Sequence, residues 1–122
     1  MYNMRNETEG GFKMNNTINN SRGQEVAETI VQQLAGHWGR LKVMTGATNP
    51  AYSEQDLYFS FRFKMCSKAN YCKIKLNSMD TYDIEFGKLW GSKYRVVETV
   101  EGVYAEDLKP IFEDFTGLYL SL

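Results

Sequence analysis

The sequence predicts one α+β domain: an N-terminal helix, an antiparallel sheet of about five strands and a C-terminal helix, with the helices on one face. Three observations predict it. An amphipathic helical stripe stands on each side of the middle of the chain, the middle alternates apolar and polar residues with a period of two, and the connections there are too short for parallel crossovers. With 122 residues, 43% apolar and 14% aromatic, the chain can form one core and leaves little room for two.

Residues 1–22 read as a disordered tail and residues 23–122 as the domain. Asn3, Asn6, Asn15, Asn16, Asn19 and Asn20 are interspersed with Gly10, Gly11 and charges. Such a segment cannot bury enough surface to offset its ordering entropy. The first ten residues carry Arg5, Glu7 and Glu9 and no apolar run, so no secretory signal is expected. Asn-x-Ser/Thr triplets start at Asn6, Asn15 and Asn19; without a secretory route they are accidents of an Asn-rich tail. Every apolar run falls far short of the roughly 18 residues of a membrane helix.

The first helix is predicted over residues 24–35. Val26, Ile30, Val31 and Leu34 share one stripe, Ser21 is a candidate cap and Gly36 the stop. Strands follow over 41–45, 57–65, 71–76, 82–86 and 94–100, with residues 46–55 as a loop. The clearest is 57–65: Leu57, Phe59, Phe61, Phe63 and Met65 alternate with Tyr58, Ser60, Arg62 and Lys64. In the next two, Cys72, Ile74 and Leu76 face Tyr82, Ile84 and Phe86 on the inner side. The last is less regular because Val96 and Val97 are adjacent. The C-terminal helix carries Tyr104, Leu108, Ile111, Phe112 and Phe115 on one stripe; Pro110 is tolerated only in a first turn, which sets its regular start near Asp107. The apolar end, Leu118 to Leu122, either packs on the domain or forms an oligomer contact.

The near-neutral charge of −1 conceals an uneven distribution. Residues 40–95 hold ten Lys or Arg against five acids, for +5, and residues 96–122 hold Lys109 against six acids, for −5. This can mean two partner-facing surfaces or two halves that neutralise each other.

No catalytic constellation emerges. Phosphate-cradling glycine loops and a nucleophile elbow are missing. His37, the one histidine, lies in a glycine-flanked connection and reads as an ordinary turn residue. Cys66 and Cys72 lack a second ligand pair. Asp80, Asp83 and Glu85 suggest paired carboxylates, but Asp83 and Glu85 point the same way as Lys73 and Lys75 on the adjacent strand, which cross-strand ion pairing explains. An enzyme is therefore not expected, nor is a metal or other cofactor.

What remains is a surface. Tyr58, Arg62, Lys64, Tyr71, Lys73 and Lys75 share the outward face of two consecutive strands. Basic side chains interleaved with aromatics suit single-stranded nucleic acid, through phosphate neutralisation and base stacking. The same face also suits a protein partner or plain solvation. Trp90, in the stretch Gly87-Lys88-Leu89-Trp90-Gly91, reads as a hairpin-tip residue. It is either tucked over the core, the favoured form, or an exposed anchor.

Taken together, Met44-Thr45-Gly46-Ala47, Ser67-Lys68-Ala69-Asn70-Tyr71, IKLNSMDTYDIEF over 74–86, Glu101-Gly102-Val103-Tyr104 and Phe115-Thr116-Gly117-Leu118-Tyr119 resemble small uncharacterised proteins encoded by tailed bacteriophages. The resemblance spans residues 29–122 and brings no activity or catalytic residues with it. It implies a non-enzymatic accessory protein, in the cytoplasm of an infected bacterium, that binds and inhibits a host or defence-system protein. The alternative is a nucleic-acid or nucleotide binder using the basic and aromatic sheet face. A homo-oligomer through the apolar C-terminus is a third partner class.

Overall fold

A computed structural model describes residues 21–120, so most of the Asn-rich tail and the last two residues lie outside the described part. The order is α1 (Arg22–Ala35), α2 (Trp38–Thr45), β1 (Thr48–Tyr52), β2 (Tyr58–Arg62), β3 (Tyr71–Leu76), β4 (Tyr82–Trp90), β5 (Lys93–Val103), a 3₁₀ turn (Ala105–Asp107) and α3 (Leu108–Thr116). The five strands form one antiparallel sheet in the order β1-β2-β3-β4-β5, each strand paired with its neighbours in sequence. The α+β arrangement, with helices before and after the sheet, is the one the patterning predicts.

α1 begins two residues earlier than its apolar stripe suggests, because Ser21 Oγ accepts the Gln24 N–H at 3.0 Å and so caps the first turn. Val26, Ile30, Val31 and Leu34 are buried against the sheet. The next segment corrects the reading. Residues 41–45, expected as a short strand, form the end of α2, in which Trp38, Leu41 and Thr45 are buried at helical spacing. Val43, which a strand would pair in facing with Leu41, is 76% exposed. Two local features decide for helix. His37 Nδ1 accepts the Arg40 N–H at 3.2 Å, and Gly46, at φ 73°, closes the last turn by donating to Lys42 O at 2.8 Å.

The missing fifth strand is β1, in what reads as a loop. Its bounds include Asn49 and Pro50, and its register with β2 slips between Thr48 and Ala51. Proline at a sheet edge forfeits no ladder bond. β2 is also shorter than the nine-residue alternation. Leu57 and Met65 adopt positive φ (53° and 71°), which ends the extended run at both sides. Met65 points to solvent, while Phe59, Phe61 and Phe63 are buried.

β4 and β5 are longer than predicted. Residues 87–91 are not a loop: β4 continues to Trp90, which stands opposite Lys93 across a Gly91-Ser92 turn. Adjacent Val96 and Val97 find their reason here. Gly87 pairs with Val96 and Phe86 with Glu98, so Val97 is the extra residue of a bulge.

The core lies between the sheet and the helices. Phe112 of α3 meets Phe61, Phe63 and Phe86 at centroid distances of 6.1, 5.4 and 6.0 Å, and Trp38 of α2 meets Phe59 edge-on at 6.1 Å. Pro110 occupies the third position of α3, inside the first turn, where its missing N–H has no helical partner to lose. Tyr104 precedes the helix and is exposed rather than part of its stripe. Within the apolar end, Leu120 is buried and its N–H donates to Glu113 Oε2 at 2.8 Å, Tyr119 is exposed, and Ser121 and Leu122 lie outside the described residues.

Candidate binding site

Among the described residues, no helix covers the outer face of the sheet. Alternation along β2, β3 and β4 puts Tyr58, Ser60 and Arg62, then Tyr71, Lys73 and Lys75, then Asp83, Glu85 and Gly87 on it. The register sets Tyr58 beside Lys75, Ser60 beside Lys73 and Arg62 beside Tyr71. Lys73 Nζ sits 5.1 Å from the Tyr58 ring centroid, a cation held on an aromatic face. Five of the predicted residues, Tyr58, Arg62, Tyr71, Lys73 and Lys75, are thus neighbours on one surface. Lys64 is not on the strand with them, because β2 stops at Arg62; its stem lies against Gly46, where an added Cβ would approach Lys64 Cβ at 3.1 Å.

The two carboxylates stand where cross-strand pairing requires, Glu85 opposite Lys73 and Asp83 opposite Lys75. Their hydrogen bonds go elsewhere. Glu85 Oε2 accepts the Tyr94 hydroxyl at 2.6 Å, and Asp83 Oδ1 accepts from Asn77 Nδ2 at 3.0 Å and from the Gly102 N–H at 3.1 Å. Tyr94 comes from β5, which the sequence reading does not bring to this surface. Its ring meets Tyr71 edge-on at 5.4 Å and lies directly over Gly87, where a Cβ would come within 2.2 Å of ring atoms. Only glycine admits the ring there.

Burial pushes the Tyr71 hydroxyl above the ordinary tyrosine value, with a Ser60 hydrogen bond opposing. Tyr94 is pushed up by burial first, then by its bond to the Glu85 carboxylate and by that negative charge. Both are neutral donors at physiological pH.

Trp90 departs from the favoured reading. It is 46% exposed instead of tucked over the core, since the strand carries it past the end of the helix layer. Arg95 lies over it, its guanidinium carbon 5.8 Å from the ring centroid. Register puts Lys88 opposite Arg95 and Trp90 opposite Lys93, so these four share one side of the β4–β5 ribbon. Tyr94 and Val96, 40% and 48% exposed, take the other. Asn70 clamps the ribbon to the domain. Its side chain accepts the Leu89 N–H at 2.7 Å and donates to Leu89 O at 2.9 Å, extending the β3 ladder by a side-chain amide. Lys88 Nζ donates to Ser67 O at 3.0 Å. Sequence reasoning misses Lys88, Lys93, Tyr94 and Arg95 as one group because it breaks the hairpin at the wrong glycine. The signal is present in Gly91-Ser92, a glycine-led two-residue turn between extended runs.

Elsewhere, His37 serves as a helix cap. Cys72 is buried, which pushes its thiol far above the usual range, and Cys66 is half-buried; both are free. A shallow groove of about 310 Å³ lies where the first turns of α1 meet the β3–β4 turn, lined by Arg22, Glu25, Leu76, Asp80 and Tyr82 among others. Among the described residues no group of three or more His, Cys, Asp or Glu is placed to hold a metal ion. No helix among them is long and apolar enough to cross a membrane.

No protein-family model and no solved structure matches the chain. A succinyl-diaminopimelate desuccinylase of Nitrosomonas eutropha is 28% identical over 83 residues, covering 67% of this chain and 22% of that enzyme. The chain therefore spans about a fifth of the length of the curated relative it matches.

Proposed function

We propose that this protein is a non-enzymatic binding protein whose partner is another protein, engaged at the exposed β4–β5 ribbon and the adjoining outer face of the sheet. The observation that carries the reading is the Trp90–Arg95 pair, a half-exposed indole with a guanidinium over it, while Tyr94 is exposed on the opposite side of the same ribbon. Trp, Tyr and Arg are the residue types that dominate binding energy at protein interfaces. Here they are carried on a two-stranded ribbon whose main chain is clamped at Asn70, so little backbone freedom is lost on docking. The resemblance to phage proteins narrows the partner to a bacterial host or defence-system protein that is inhibited by the contact. The partial likeness to a desuccinylase assigns no residue of this chain a catalytic role.

The second reading, nucleic-acid or nucleotide binding, is favoured by one observation. Lys73 stacked on Tyr58, with Arg62, Lys75 and Tyr71 adjacent, presents cations and rings on one surface. Asp83 and Glu85 in the middle of the same face oppose it.

One experiment separates them. Tagged protein is used to capture partners from bacterial lysate with and without nuclease, alongside Trp90→Ala and a Lys73→Glu/Lys75→Glu double variant. A nuclease-resistant partner lost in Trp90→Ala and kept in the double variant is the expected result. Nuclease-sensitive capture that disappears in the double variant would replace it with the second reading.

A further inference from the structure

We propose that the free edge of β5 over Lys93, Tyr94, Arg95 and Val96 accepts an extended peptide as a sixth strand, one that alternates acidic and apolar side chains. The proposal rests on the protein-binding reading above and names the partner's chemistry.

β5 ends the sheet: β4 pairs with one of its edges, and no other described segment hydrogen-bonds to the second. A row of unpaired N–H and C=O groups is a template for another strand. The opposite border of the sheet differs. β1 has five residues, includes Pro50, which has no N–H to offer, and slips register against β2. Along β5 the run from Lys93 to Val96 is regular, matched residue by residue to Trp90, Leu89, Lys88 and Gly87. The Val97 bulge then ends it, which limits the docking run to about four residues and leaves Glu98 and Glu101 beyond it.

The two sides of this run differ in chemistry. Lys93 and Arg95 project on one side, with Lys88 and Trp90 across from them; Tyr94 and Val96 project on the other, with Leu89 beside Tyr94. An added strand sets its own side chains alternately beside each row. Residues neighbouring Lys93 and Arg95 meet two cations, which calls for carboxylates; Lys88, across β5 from the free edge, turns its ammonium to Ser67 O instead. Residues neighbouring Tyr94 and Val96 meet exposed apolar surface, which calls for aliphatic side chains. A nucleic acid could answer the charges but has no main chain to pair with the edge.

The test uses the full chain and a blocked synthetic octapeptide of alternating Glu and Val. Calorimetric titration and amide hydrogen exchange are followed, with a control peptide carrying proline at two central positions and another of alternating Lys and Val. Binding of the Glu/Val peptide with slowed exchange within residues 93–96, abolished by proline and absent for Lys/Val, is expected. Arg95→Glu should weaken it about tenfold or more. Any of three results would overturn the proposal: no binding of the Glu/Val peptide, undiminished binding of the proline peptide, or displacement of the peptide by an oligothymidine that binds the same residues more tightly. If the peptide fails while lysate capture still depends on Trp90, the protein-binding reading stands and only strand addition is lost.

Discussion

Residues 82–86 and 87–90 are successive parts of β4, but only the first part is roofed. Tyr82, Ile84 and Phe86 are buried, and Phe86 stacks on Phe115 of α3 at 4.2 Å and lies under Phe112. Lys88 and Trp90 continue the same side of the strand past the helices, where they meet Arg95 and Lys93 in place of a core. The strand is equally extended in both parts. What changes is the cover, and with it the role of alternation: in the first half it sorts residues into core and solvent, in the second it sorts them into two different exposed surfaces.

The contrast predicts unequal consequences of truncation. The largest effect is expected in the roofed half. Phe112 is 1% exposed and touches three other rings, so Phe112→Ala should lower unfolding free energy by about 3–5 kcal/mol. Urea denaturation measures it. The same loosening should open Cys72 to a thiol reagent, which in the native protein should find Cys66 first because Cys72 is fully buried with its thiolate disfavoured.

Next comes the boundary between the halves. Gly87→Ala places a Cβ on the Tyr94 ring and should cost about 1–3 kcal/mol. The ring can swing outward, and then it loses the Glu85 hydrogen bond and the Tyr71 contact. Alkaline absorbance titration distinguishes this from a general weakening. In the wild type, Tyr71, Tyr82 and Tyr94 are all raised above the ordinary tyrosine value, chiefly by burial. Their neutral forms are the folded ones, so this contribution is complete below about pH 10 and is lost as the pH climbs toward the folded-state values. In Gly87→Ala one tyrosine should return to the ordinary range.

The sequence makes the roofed half legible and the ribbon nearly illegible, for physical reasons. Phe59, Phe61, Cys72, Ile74, Ile84 and Phe86 are sorted by burial, and burial leaves a period-two trace. The ribbon has no core beneath it, so Lys88 and Lys93 read as connection residues, Trp90 as a hairpin tip and Arg95 as part of a separate strand, although the four stand in register. Residues 41–45 fail differently: a short apolar-rich run reads as a strand, but a histidine cap and a left-handed glycine, features of one residue each, select helix. Of the candidate surface, the Tyr58, Arg62, Tyr71, Lys73 and Lys75 group was readable from β2 and β3 alone. Tyr94 was not, because its place over Gly87 depends on where the hairpin turns.

A smaller effect should come from the clamp. Asn70→Ala removes both side-chain hydrogen bonds to Leu89, each worth on the order of 1 kcal/mol net when partly exposed. The loss should therefore be about 1–2 kcal/mol, and its signature local. Amide exchange at Leu89 should accelerate well before that of Ile84 or Phe86, which remain under α3. If all three accelerate together, the ribbon and the roofed half form one cooperative unit and the division drawn at Gly87 does not hold.

The smallest effect is expected at Trp90, and it is the most informative. A tryptophan truncated in a core costs about 3–5 kcal/mol, whereas a half-exposed side chain on the ribbon, with Arg95 over it, should change stability by no more than about 0.5 kcal/mol. On the protein-binding reading, a residue that large and half-exposed serves recognition and not folding. If Trp90→Ala instead lowers stability by about 2 kcal/mol or more, the indole is structural, and the ribbon is an extension of the core. If stability is unchanged and partner capture falls, the two halves of β4 divide the labour between folding and recognition.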